Sequence, residues 1–135
     1  MVRVRRMTGF LAAVVLTVMA VTASAQQQTA SQFYMQYRAA FDNAKAIEDL
    51  LPFMSAPRRK QMEATPAAER AKMFEVFKLL GTMTQVKITK ETRTADGAVL
   101  TVEGLDSDKA KTVGEITLVR ENDAWKLDKE SFKSS

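Results

Sequence analysis

With neither cysteine nor histidine in the chain, its chemistry rests on carboxylates, phenols and basic side chains. Without Cys there is no disulfide, thiolate nucleophile, iron–sulfur cluster or zinc–thiolate site. Without His, the usual general base at neutral pH and the commonest metal ligand are missing. A base must then be Asp, Glu or Lys. Lifting a carboxyl from about 4 to about 6.5 takes roughly 3 kcal/mol of differential environment, which only an apolar setting supplies. Asp96, Asp106, Asp108 and Asp123 fall in turns, and Asp42 and Glu75 on polar helix faces. Alternation points Glu91, Glu103 and Glu115 outward from their strands. No catalytic residue is assigned on this pattern.

Two charged clusters read as surface. Asp106-Ser107-Asp108 has the start of a calcium loop, but Ala110 and Lys111 stand where further oxygen ligands belong, so it reads as a polar turn and no metal or cofactor is expected. Arg58-Arg59-Lys60 reads as a solvated helix face; three screened charges would hold an anionic surface only weakly.

The elements that position these groups begin after an address. Residues 1–25 read as a secretory signal peptide: Arg3, Arg5 and Arg6, then the apolar run Phe10 to Val21, then Ala23-Ser24-Ala25 before the cut. The run is short of the roughly 20 residues that span a bilayer, so no stable membrane anchor is expected after cleavage. Export to a periplasm or beyond the cell follows. Losing the leader removes three of the 20 basic residues and none of the 16 acidic ones, so the net charge of +4 falls to +1. With both signs interspersed, nucleic acid is not an expected partner.

Residues 26–30 are polar and patternless and read as a disordered lead to one domain over residues 31–132. Ser31 is the expected N-cap of a helix whose stripe is Phe33, Tyr37, Ala40 and Ala44, with Tyr34 and Phe41 at its edge and Arg38 on the far side. A shorter helix carries Ile47, Leu50 and Leu51, Pro57 opens another turn, and Thr65-Pro66 starts a third helix with Met73, Phe74, Val76, Phe77 and Leu80 on its apolar face. From Thr82 the period shifts towards two. Val86 and Ile88, Leu100 and Val102, Ile116 and Leu118, and Trp125 and Leu127 mark the inner faces of four successive strands. A three-residue loop, Ala95-Asp96-Gly97 with Gly97 left-handed, would put the apolar residues of the first two strands on one face. The expected fold is α+β: N-terminal helices packed on a curved four-stranded antiparallel meander.

The order of these motifs resembles a known superfamily. A leading helix with Phe33, Tyr34 and Tyr37, a short helix ending Leu50-Leu51-Pro52, a third helix, Val86-Lys87-Ile88, and then Gly114-Glu115-Ile116-Thr117-Leu118-Val119 with Trp125-Lys126-Leu127 resemble the nuclear-transport-factor-2-like (cystatin-like) proteins, in particular small exported bacterial members of unassigned function. The resemblance spans most of residues 31 to 132. It implies a sheet curled into a cone with a pocket at its open end. Some members are isomerases or dehydratases working there with a Tyr as oxyanion donor and a carboxylate as base; many only bind ligands or partners, and dimers through the sheet face are common. Tyr34 or Tyr37 suits the first role, and no acidic residue falls clearly on the inner sheet face for the second.

The expectation is therefore an exported, non-catalytic domain that binds a small apolar ligand or a partner protein through the cone pocket or sheet face. Core packing is the first use of Tyr34, Tyr37, Phe41, Phe74, Phe77 and Trp125. Tyr37 and Trp125 are the ligand-binding candidates, each an apolar body with one polar handle at the pocket mouth. The rivals are a pocket enzyme of isomerase or dehydratase type and an envelope protein held by an uncleaved N-terminal helix.

Overall fold

A computed structural model describes residues 27–135. The expected signal peptide and the rival anchor helix fall outside the described residues; within them no helix is long and apolar enough to cross a membrane. Helix α1 (Ala30–Asn43) is followed by a 3₁₀ helix (Ile47–Phe53), α2 (Ala56–Ala64) and α3 (Ala67–Gly81). Strands β1 (Thr84–Arg93), β2 (Gly97–Leu105), β3 (Lys111–Glu121) and β4 (Ala124–Ser134) form one antiparallel sheet in the order β1-β2-β3-β4. The helices-then-meander α+β architecture is as expected.

Helix α1 starts two residues earlier than expected. Thr29, not Ser31, is its N-cap, and with Gln32 it closes a capping box. Of the stretch expected as a disordered lead, the described residues 27–30 are tied down: the Gln28 carbonyl accepts from Trp125 Nε1 at 2.8 Å. The buried stripe is Ala30, Phe33, Tyr34, Tyr37, Arg38 and Phe41, so Arg38, placed by the pattern on the far side, is inside. Pro57 opens α2 as expected. Thr65 does not cap α3. It ends α2, its hydroxyl donating back to the Gln61 carbonyl, and α3 begins behind Pro66. No residue of α3 is fully buried; Met73, Phe74 and Phe77 pack against the core while Val76, Leu79 and Leu80 are exposed.

The sheet keeps its apolar residues on one face through register shifts, two between β1 and β2 and one between β3 and β4. Thr94 donates to the Gly97 carbonyl, leaving only Ala95 and Asp96 in the first hairpin loop, and no described glycine has positive φ. The three-residue loop with left-handed Gly97 is therefore corrected. A bulge between Ile88 and Lys90 restores the phase instead, setting Ile88 opposite Val102. The β3–β4 hairpin turns on Asn122 and Asp123, both at positive φ, as a two-residue turn matched to strand twist.

The shift between Thr117 and Leu118 decides the site. Leu118 faces Leu127, whereas Thr117 faces Lys129, so Asp128 is an extra residue in β4. Before it, Trp125 and Leu127 point inward; after it, the inward residues are Glu130 opposite Ile116, Phe132 opposite Gly114 and Ser134 opposite Thr112. The bulge is held from the helical side. Buried Ser55 donates its N–H to the Leu127 carbonyl and its hydroxyl to Asp128 Oδ1, both at 2.8 Å.

Candidate functional site

A cavity of about 570 Å³ opens between the helices and the end of the sheet where β3 begins and β4 ends. Its walls are apolar: Phe41, Leu50, Met54, Phe77 and Phe132, with Leu79 and Leu80 at the mouth. The polar groups reaching it are Tyr37 and Arg38 from α1, Arg58 from α2, Glu130 from β4, and Asp106 and Asp108 from the β2–β3 loop. An apolar concavity with a few convergent polar groups is the usual form of a small-molecule site.

Each polar group is placed by a local feature. Tyr34, Tyr37 and Arg38 lie on the inner stripe of α1. The start of α2 is fixed by Ser55 on the bulge and by the Glu121 carboxylate, which accepts from the Ala56 N–H; Arg58 follows one turn on. Asp106 organises its loop, its Oδ1 accepting from the N–H groups of Asp108 and Ala110 and its Oδ2 from the Ser134 hydroxyl. These oxygens are spent on the loop itself, as the polar-turn reading requires.

Glu130 is the centre of the site. Its Oε1 accepts from the Tyr37 hydroxyl at 3.0 Å and its Oε2 from the Tyr34 hydroxyl at 3.3 Å. Burial beside Ile116 pushes its carboxyl above the ordinary carboxylate range, against the opposing pull of Arg58, the two hydroxyls and Arg38. Burial, and then the neighbouring Glu130, drives both phenols far above their usual value of 10.0, so they stay protonated. A phenol has one hydrogen, and both phenols spend it on Glu130. The charged donors left for a guest are therefore the guanidinium groups, beside the hydroxyls of Ser107, Thr112 and Ser134. Arg38 is 4% exposed and uses Nη2 on the Gly81 carbonyl, while its Nε is buried without a partner; Arg58 Nη1 is likewise buried and unpartnered.

The two ligand-binding candidates do not meet. Tyr37 lines this cavity, but Trp125 lines a separate depression of about 350 Å³ with Phe33, Phe53 and Gln28. There the indole carries the guanidinium of Arg120 at 4.8 Å and of Arg93 at 5.3 Å over its ring. Two residues of the cavity were read as surface and are corrected: Arg38, and Arg58 from the basic run. Glu130 was missed, since strict alternation from Trp125 and Leu127 turns it outward. One signal could have found it. Leu127 and Phe132 are an odd number of residues apart, so both can face the core only if β4 contains a bulge.

No protein-family model, curated protein or solved structure matches the chain.

Proposed function

We propose that this is an exported, non-catalytic domain of the cone type that binds a small, mainly apolar ligand in the cavity between its helices and the end of its sheet. The observation that carries this is the cavity itself: about 570 Å³, walled by Phe41, Phe77 and Phe132, with Tyr37, Arg38, Arg58 and Glu130 reaching into it. The cone reading draws support from Arg93 and Trp125. They stand on opposite edge strands, which a flat sheet would hold about 14 Å apart, yet guanidinium and indole are 5.3 Å apart. The commitment of both tyrosine hydroxyls to Glu130 favours binding over catalysis, because neither is free to meet an oxyanion.

Thermal shift against a library of apolar small molecules tests the proposal. A ligand at about 100 times its dissociation constant adds about 2.7 kcal/mol of stability. Phe132→Arg should abolish that shift; a library without a hit, or hits indifferent to Phe132→Arg, would overturn the reading.

A second reading rests on the Tyr37–Glu130 contact. A carboxyl raised by burial inside a ligand-sized cavity is a proton acceptor for isomerase or dehydratase chemistry. Exchange of solvent deuterium into a bound carbonyl compound, lost in Glu130→Gln while binding persists, would favour it.

A further inference from the structure

Taking the cavity as a ligand site, we infer that its ligand is an amphiphile with a single carboxylate head, received by Arg58 and Arg38, whose chain runs along Phe77 and Phe132 and out past Leu79 and Leu80.

The head group follows from the unpaired cations. Among the described residues neither Arg38 nor Arg58 forms an ion pair; the pairs present are Arg70 with Glu48 and Lys111 with Glu103. Arg38 Nε and Arg58 Nη1 are buried without acceptors. A buried guanidinium lacking an anion retains an uncompensated desolvation cost, and a carboxylate fits its planar fork. Glu130 does not saturate them: its two oxygens hold the tyrosine hydroxyls and it forms no ion pair with either arginine, although both guanidinium groups are near enough to pull its carboxyl down.

The chain follows from the mouth. Leu79 and Leu80 are 71% and 70% exposed at the C-terminal end of α3, contiguous with the buried wall. Large exposed aliphatic groups continuous with a cavity mark where an apolar guest emerges. Asp106 and Asp108 also line the cavity. Those carboxylates repel a second negative charge, which selects a monoacid over a diacid or a phosphate ester.

The purified protein is titrated by calorimetry, below micelle formation, with dodecanoate, dodecanol and dodecyltrimethylammonium. Dodecanoate should bind at least about tenfold more tightly than dodecanol, and the ammonium compound least. Arg58→Gln should erase the difference between acid and alcohol while leaving alcohol binding in place, and Arg58→Lys should restore part of it. Equal binding of acid and alcohol, or a preference unchanged in Arg58→Gln, overturns the carboxylate head and leaves the ligand site standing. Failure of all three probes, with dodecanoate shifting no Tm, removes the ligand site and this inference together.

Discussion

Tyr37 and Glu130, 93 positions apart in sequence, meet at 3.0 Å because one additional residue, Asp128, turns the last third of β4 over. Were the ladder to run through Asp128 in regular pairing with no bulge, the same chain would present Lys129 and Ser131 to the helices. The cavity would lose the Glu130 carboxyl and its Phe132 wall.

The burial of Glu130 sets a pH dependence. A carboxyl whose folded pKa is raised holds a proton that the unfolded chain releases near its ordinary 4.5. Below that value burial costs nothing extra. Between 4.5 and the raised folded value the native state loses stability as pH rises. The groups facing Glu130 are Tyr34, Tyr37 and Arg38 from α1 and Arg58 from α2. Glu130→Gln cannot ionise and keeps an acceptor for a tyrosine hydroxyl. Its Tm should therefore gain on the wild type as pH rises above 4.5, by several degrees for each 1.4 kcal/mol of relief. Calorimetric Tm profiles of the two proteins that stay parallel across this range would refute the assignment.

The bulge is anchored by Ser55, and that anchor can be measured. Ser55→Ala removes a buried hydroxyl that donates to Asp128 at 2.8 Å, and should cost about 1 kcal/mol in urea denaturation. Deleting Asp128 closes the bulge while leaving Leu127, Glu130 and Phe132 in one inward phase, so its loss should stay close to that of Asp128→Ala, which removes the same Ser55 acceptor. A loss several-fold larger for the deletion than for the alanine variant would mean that the bulge itself, and not only the Ser55 contact, holds β4 in place.

The same bulges separate what could be read in the sequence from what could not. Helices before strands, Pro57 at a helix start, and Leu100, Val102, Ile116, Leu118, Trp125 and Leu127 on one buried face follow from local pattern. The site does not. Alternation carries phase only until a residue is inserted, and bulges near Thr89 and at Asp128 each reverse it. Arg38 was hidden for another reason: a guanidinium four residues after Tyr34 looks like the edge of a polar face, until the Gly81 carbonyl and the Phe41 ring receive it. Nothing in the local pattern distinguishes Arg58 from Arg59; the docking of Ser55 on β4 does.

Two glycines in the sheet should respond unequally to alanine. At Gly114 a Cβ would meet the Phe132 ring at 2.5 Å and Val102 Cγ2 at 2.9 Å, side chains that can yield in part. Gly114→Ala should cost about 1–3 kcal/mol, and Phe132→Leu in the same protein should recover some of it. At Gly97 a Cβ would strike the backbone carbonyl of Leu118 on β3, which cannot yield without opening the ladder. Gly97→Ala should cost more, with no side-chain rescue. A smaller loss at Gly97 than at Gly114 in denaturant titration would contradict the β2–β3 approach.

Trp125, the only tryptophan, reports on the start of the domain. It is 4% exposed, its Nε1 donates to the Gln28 carbonyl at 2.8 Å, and the guanidinium groups of Arg93 and Arg120 cover its ring. Its emission should be that of a buried indole and resist quenching by acrylamide. Replacing Gln28 by Pro leaves the carbonyl but redirects the backbone before the Thr29 cap. Quenching should rise several-fold and stability fall by about 1 kcal/mol, the worth of one buried hydrogen bond. Because the 570 Å³ cavity shares no residue with the Trp125 depression, ligand binding there should survive this change. Loss of binding in Gln28→Pro, with the fold intact by circular dichroism, would show that the two regions are one site.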